Sequence, residues 1–126
     1  MGVEEQVCTI VESKLQDFPL YDEQHDVLAK MLQDKLAIVY RTDSHLDATR
    51  FDLNIVGRTG HLCWINIHPD KRGKGYGRQL YEVVEDIFKE MGCTNVRLTS
   101  SGKGKEEFWK KLGFEPDTDR EYVKQL

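Results

Sequence analysis

The chain has 126 residues, within the range of one domain and long enough to bury one core. Hydrophobic residues make up 39% and charged residues 32%, which describes a globular protein with a crowded ionic surface, and the net charge of −4 disfavours a general nucleic-acid binder. Cys8, Cys63 and Cys93 are odd in number and form no CxxC pair, and the four histidines are scattered, so neither a disulfide framework nor a metal site is expected.

Residues 7–15 set Val7, Thr9 and Val11 against Cys8, Ile10 and Glu12, which predicts a first strand, closed off by Pro19. Residues 20–34 place Val27, Leu28, Met31 and Leu32 on one helical face, with acidic residues near the start, and predict a helix. The run LAIVYR over 36–41 predicts a buried strand, and 42–48 a polar turn. Over 51–57, Phe51, Leu53 and Ile55 alternate with Asp52, Asn54 and Val56. A short connection at Arg58, Thr59 and Gly60 then leads into a strand over 61–67. Pro69 ends that strand, because it has no N–H to give a sheet. After the glycine-rich turn at 72–77, Tyr76, Leu80, Val83, Val84, Ile87, Phe88 and Met91 recur at three- and four-residue steps. They predict a strongly amphipathic helix, with Gly92 placed just past its end. A strand over 95–100, a connection over 100–104, a helix over 105–112 stopped by Gly113, and a strand over 122–126 complete the chain.

The predicted order is β-α-β-β-β-α-β-α-β, an α/β (α+β) chain with a mixed sheet flanked by helices, read as a single domain over residues 1–126. No apolar run of signal or membrane-spanning length occurs, so a cytoplasmic protein without membrane contact is expected.

The stretch most informative about chemistry is Arg72-Gly73-Lys74-Gly75-Tyr76-Gly77, set between a strand and a long helix. Three glycines in five residues cost chain entropy that an ordinary connection need not incur, and they suit a backbone that approaches a ligand closely. Unpaired N–H groups at the helix start, with Lys71, Arg72, Lys74 and Arg78 around them, make an anion site. The spacing fits neither known phosphate loop. A Walker loop needs Ser or Thr where Gly75 follows Lys74, and G-x-G-x-G is not the dinucleotide spacing G-x-G-x-x-G.

The residues resemble the Gcn5-related N-acetyltransferase (GNAT) family. Its signature [RQ]-x-x-G-x-[GA] is matched by Arg72, Gly75 and Gly77, after a strand ending in Ile67-His68-Pro69. A second block, Phe108-Trp109-Lys110-Lys111-Leu112-Gly113-Phe114, is similar to the family's F-Y-x-K-L-G-F and follows at the expected distance. The resemblance covers residues 64 to 114. It implies a GNAT-like, mostly antiparallel sheet with helices and acetyl-CoA as co-substrate, without metal. The pyrophosphate would lie on the N–H groups of Gly73, Lys74, Gly75, Tyr76, Gly77 and Arg78, with charge added by Arg72 and Lys74. The pantetheine arm would run along Ile65, Asn66 and Ile67, with an N–H there, at Ile67, for the thioester oxygen. Family members usually carry two helices between their first two strands. This sequence has room for one, so a shortened N-terminal helical region and an unusually open acceptor groove are expected.

The sequence departs from the family pattern at the proton-handling positions. The acid tyrosine is replaced by Trp109, whose indole N–H donates hydrogen bonds but is no proton source near neutrality. The CoA-contacting asparagine falls on Gly102, and a carboxylate sometimes found on the preceding strand falls on Arg97. His68 and Tyr40 are the substitute candidates: an imidazole base at a strand end, and a phenol ending a strand. Ser100 and Ser101 are alternatives for the missing amide, Glu106 and Glu107 read first as helix-start charges, and Cys63 reads as a packing residue. Three readings stay open: an acetyl-CoA-dependent N-acetyltransferase acting on a small amine or a peptide or protein amine, a non-catalytic CoA- or partner-binding module, and an unrelated nucleotide-binding domain. The sequence fixes no oligomeric state; a dimer is among the open cases.

Overall fold

The computed structural model describes residues 2–43, 48–100, 105–118 and 120–126. Its elements run α1 (Val3–Leu15), β1 (Asp26–Met31), β2 (Leu36–Arg41), β3 (Arg50–Val56), β4 (Thr59–Asn66), a 3-10 turn (Pro69–Lys71), α2 (Tyr76–Glu90), β5 (Asn95–Thr99), α3 (Glu106–Lys111), β6 (Glu115–Pro116) and β7 (Glu121–Gln125). The strands form one seven-stranded sheet in the order β1-β2-β3-β4-β5-β7-β6. β4 and β5 are parallel, joined through α2 as a parallel pair requires, and the other pairs are antiparallel.

From LAIVYR onward the expected elements are all present, with ends shifted by a residue or two and a short added strand, β6. The N-terminal quarter differs. Residues 3–15 are a helix, not a strand, because their buried residues Val7, Val11 and Leu15 recur every four positions and form one stripe. Glu4 and Glu5 in the first turn and Lys14 in the last suit the helix dipole. Conversely, residues 26–31 are a strand. Val27, Leu28, Met31 and Leu32 fit a helical face in sequence, but in the fold Val27 and Ala29 turn inward while Leu28 stays 55% exposed. Pairing with β2 across a tight turn, where Leu32 N–H donates to Lys35 carbonyl at 2.8 Å, overrides the local pattern. No helix therefore separates the first two strands; a hairpin joins them, and the single N-terminal helix precedes both. The predicted polar turn at 42–48 lies partly outside the described residues.

The core lies between one face of the sheet and the helices α1 and α2. Leu80, Tyr81, Val84, Ile87 and Phe88 of α2 are buried against Ile38, Phe51, Leu53, Leu62 and Val96 of the sheet. Each such large apolar side chain contributes about 1.5–3 kcal/mol when fully buried. The packing of α2 on β4 also fixes where its N-terminus points.

Candidate active site

The site begins with one extra residue in β4. Leu62 pairs with Leu53 and Trp64 with Asp52, so Cys63 has no partner and forms a bulge. Before it, the even-numbered Gly60 and Leu62 face the core. After it, Ile65 and Ile67 do, Ile65 in register with Phe51, while Trp64 is turned out and 50% exposed. Cys63 is itself exposed rather than packed. Pairing with β5 ends at Leu62, whereas pairing with β3 continues to Asn66. The bulge thus coincides with the point where β4 and β5 separate, leaving the β5-facing edge of residues 65–67 unpaired.

A cleft of about 540 Å³ opens there. Ile65, Asn66 and Ile67 form one wall, Arg72, Gly73, Gly75, Tyr76, Gly77 and Arg78 another, and Lys71, Lys105, Phe108 and Trp109 complete it. The turn-and-strand residues read from the sequence are thereby brought together, except that Lys74 does not line the cleft. A smaller recess of about 170 Å³ meets the gap and shares Ile65, Asn66, Lys105 and Trp109 with the cleft.

The turn has the local chemistry of an anion site. Gly73 and Gly75 have φ of +82° and +79°, a region costly to other residues, and a Cβ at either position would meet nothing within 4 Å. Gly75 is the N-cap of α2. It supplies no side-chain cap, and the first turn carries no acidic residue. Among the described residues the orphan N–H groups therefore have no capping side chain at Gly75 and no first-turn carboxylate, and they lie amid cations at Lys71, Arg78 and Lys105. Arg72 is largely committed to the protein: Nε donates to Ile67 carbonyl at 2.9 Å and a terminal nitrogen to Asn66 Oδ1 at 2.8 Å. Asn66 Nδ2 in turn donates to Ala48 carbonyl at 2.9 Å. This chain of bonds braces the end of β4 against the turn, a role the sequence motif does not disclose.

The proton-handling candidates lie elsewhere. His68 caps the 3-10 turn: its Nδ1 accepts the Asp70 N–H at 3.2 Å, so the neutral ring keeps its proton on Nε2 and has no free lone pair. It faces a second, more polar cavity of about 760 Å³, shared with Asp22, Glu23, Thr49, Asp70 and Lys71. Lys71 borders both cavities. Tyr40 is fully buried beside Phe51 and His25 and does not line the cleft; burial, with help from Asp22, pushes its pKa up to about 12. Arg97 is paired with Asp117 at 2.9 Å. Ser101 and Gly102 lie outside the described residues. Trp109 is 6% exposed, and its indole N–H has no hydrogen-bond partner among the described residues. Among the described residues no helix is long and apolar enough to cross a membrane.

The acetyltransferase (GNAT) family model matches residues 16–114, and the chain belongs to that family. The PaiA N-acetyltransferase of Thermoplasma acidophilum, solved in complex with coenzyme A, is 25% identical with a TM-score of 0.58, over 74% of this chain and 62% of that one. An acetyltransferase from Bacillus cereus shares the fold at 19% identity and a TM-score of 0.59, covering 94% of this chain and 86% of its own. One from Thermus thermophilus does so at 15% identity and 0.59, covering 96% and 87%. No curated protein sequence matches significantly. Family membership carries acetyl transfer as the general chemistry and leaves the acceptor unspecified.

Proposed function

We propose that this chain, as one domain over residues 1–126, transfers an acetyl group from acetyl-CoA to a primary amine. The observation that carries the reading is the uncapped, glycine-built start of α2, facing a cleft whose far wall is a strand edge released by a bulge. When bound, acetyl-CoA supplies an acyl group already activated as a thioester. The N–H groups of residues 73–78 would hold its pyrophosphate, with Lys71, Arg78 and Lys105 adding charge. The backbone of Ile65, Asn66 and Ile67 would orient the arm, and the Ile67 N–H would donate to the thioester oxygen as negative charge grows there.

The acceptor nitrogen must be uncharged to attack, so an ammonium has to lose a proton first. With His68 capping a turn and Tyr40 outside the cleft, water is the proton acceptor that fits. The second cavity, beyond Lys71, supports an acceptor that arrives positively charged, since Asp22, Glu23 and Asp70 border it. Free acid groups on an acceptor would be unfavourable there.

The test combines calorimetry with CoA and acetyl-CoA and mass spectrometry of a mixed amine and peptide panel. Gly75→Glu adds a carboxylate beside the N–H groups and should weaken both ligands at least tenfold, about 1.4 kcal/mol. Gly75→Asn, which tolerates the left-handed backbone, controls for strain and should bind far better than the Glu variant. Equal binding by wild type and Gly75→Glu would overturn the placement. CoA binding without turnover on any amine would select the non-catalytic alternative, which the replacement of the acid tyrosine by Trp109 favours.

A further inference from the structure

His25 stands where α1, the loop before β1 and the sheet meet, and its side chain is 6% exposed. Both of its ring nitrogens face oxygen. Nε2 lies 2.8 and 2.9 Å from the two carboxylate oxygens of Glu12 on α1, and Nδ1 lies within hydrogen-bond distance of the Asp22 carbonyl. A carbonyl and an ionised carboxylate only accept, so the two contacts together require a proton on each nitrogen, which is the imidazolium. The other groups around the ring offer no substitute. Tyr21 and Tyr40 meet it with ring centroids 5.1 and 5.8 Å away, and the Tyr40 hydroxyl has no hydrogen-bond partner among the described residues. Asp26, next in the chain, pairs with Arg41. Burial opposes the charge on His25, but the Glu12 and Asp22 contacts outweigh it and raise the pKa.

The far end of this bridge is a cavity wall, because Asp22 and Glu23 line the second cavity together with Asp70. Upstream the loop has its own anchor: Phe18 is buried, and its carbonyl accepts the Tyr21 N–H. Residues 22–24 are exposed. Besides the His25 contact, their hydrogen bonding among the described residues is internal, from the Gln24 N–H to Asp22 Oδ1 at 2.9 Å. We propose that His25 is a protonation-controlled bridge that ties residues 22–24 to α1, and that loss of one ring proton frees this wall of the second cavity. The neutral ring has a single N–H. With the proton on Nδ1, a lone pair faces the Glu12 carboxylate; with the proton on Nε2, a lone pair faces the Asp22 carbonyl. Either tautomer keeps one bond, and a bridge needs two. The proton passes to solvent, and no covalent bond between heavy atoms changes. The bridge is intact below the folded pKa of His25, which lies above the ordinary value of about 6.5, and it opens as pH rises through that pKa. Its effect falls on the cavity that the proposed function offers to a cationic acceptor. The bridge itself is independent of the acetyl-CoA reading, and its test needs neither cofactor nor acceptor.

Nuclear magnetic resonance on the whole chain decides the matter. At pH 6 the nitrogen-15 shifts of His25 should report protons on both ring nitrogens. Carbon-13 relaxation at the α-carbons of residues 22–24 is undisturbed by amide exchange. It should give order parameters near the rigid level of about 0.85, falling below about 0.6 as His25 loses its proton. Residues 36–41 of β2 should stay rigid throughout. Glu12→Gln keeps an acceptor and removes the charge, so it should lower the His25 pKa and carry the loosening of 22–24 down in pH with it. His68→Gln removes the other imidazole bordering the cavity and should leave the transition where it is. The proposal is overturned if His25 carries one ring proton at pH 6, or if residues 22–24 are equally ordered on both sides of its titration. It is equally overturned if they loosen at a pH that His25 does not share, or if the transition vanishes in His68→Gln. If Glu12→Gln does not fold, the coincidence of the two transitions in the wild type, with the His68→Gln control, decides.

Discussion

Gly60 offers a direct test of how α2 is seated. It lies in β4 between Ile55 of β3 and Val96 of β5, so its backbone is pinned on both sides. A Cβ built there would stand 2.5, 2.6 and 2.8 Å from Cδ1, Cε1 and Cγ of Phe88, a ring with no solvent exposure. Gly60→Ala must therefore push the ring, and α2 with it, away from the sheet. Overpacking of this kind costs about 1–3 kcal/mol, and the lower entropy of the unfolded alanine chain returns about 0.4–1 kcal/mol. A net loss of about 1.3 kcal/mol should lower Tm by about 5 °C for a chain of this size. Calorimetry or circular dichroism measures it, with Gly2→Ala as control, since a Cβ there meets nothing within 4 Å. Phe88→Leu alone should also destabilise, by opening a cavity. Combined with Gly60→Ala it should cost about 1 kcal/mol less than the sum of the two, because each change relieves the other. A Gly60→Ala protein that melts at or above the wild-type temperature would refute the reasoning.

Two ion-pair clusters give pH predictions of opposite sign. His25 has a 6% exposed side chain between the Asp22 carbonyl and the Glu12 carboxylate, reached by Nε2 at 2.8 Å, with Tyr21 and Tyr40 rings alongside. Burial opposes its charge, but the Glu12 hydrogen bond and the Asp22 carbonyl outweigh it and raise the pKa. Its stabilising effect is full below about pH 6.5 and fades as pH rises through the raised value. Urea titrations should show Glu12→Gln costing about 1 kcal/mol at pH 6 and much less at pH 9. Glu85 is contacted by Lys124, by Lys89 at 3.5 Å and by the Tyr81 hydroxyl at 3.2 Å; burial opposes its charge, and Lys124 leads the contacts that hold its pKa below the usual carboxylate range. That contribution is present above about pH 4.5 and lost as pH falls through the depressed value. Lys124→Met should cost about 2 kcal/mol at pH 7 and close to nothing near pH 2, and equal losses at both would contradict the assignment.

The sequence carried some parts of this fold plainly and others in a form that two structures satisfy. The strand, glycine turn and α2 are legible because three constraints agree: alternation ending at Pro69, glycines where φ is positive, and an apolar stripe at helical spacing. Residues 3–34 are not, because Val7, Val11 and Leu15 fit a helix while their neighbours imitate alternation, and 27–32 do the reverse. Only the availability of LAIVYR as a partner strand decides between them, and pairing is a tertiary fact. Tyr81 falls outside the apolar stripe read from the sequence, yet in the fold Glu85 accepts its hydroxyl and the ring is buried. The bulge at Cys63 had a faint signal, since the even-numbered inward positions up to Leu62 give way to odd-numbered Ile65 and Ile67. The braces on Arg72 and the Asp70 N–H on His68 had none, because they depend on distances between side chains and backbone.

The candidate site divides into a part made from backbone and a part that side chains would have to supply. Its proposed binding half would use N–H groups at a helix start, a strand edge freed by one inserted residue, and glycines whose value is the absence of side chains. Such a half tolerates wide variation in sequence, provided the turn keeps its φ values and the bulge keeps its register. The proton half is where this chain departs from its family, at Trp109, and the departure is consistent with the demands of the reaction. A thiolate leaves readily, so an acid at the sulfur is an aid and not a requirement, whereas holding the thioester within reach of an amine is indispensable. Fixing the arm along residues 65–67, as proposed, would meet the second demand without the first. On this account the exchange of a phenol for an indole trades rate-enhancing proton transfer for a rigid aromatic wall.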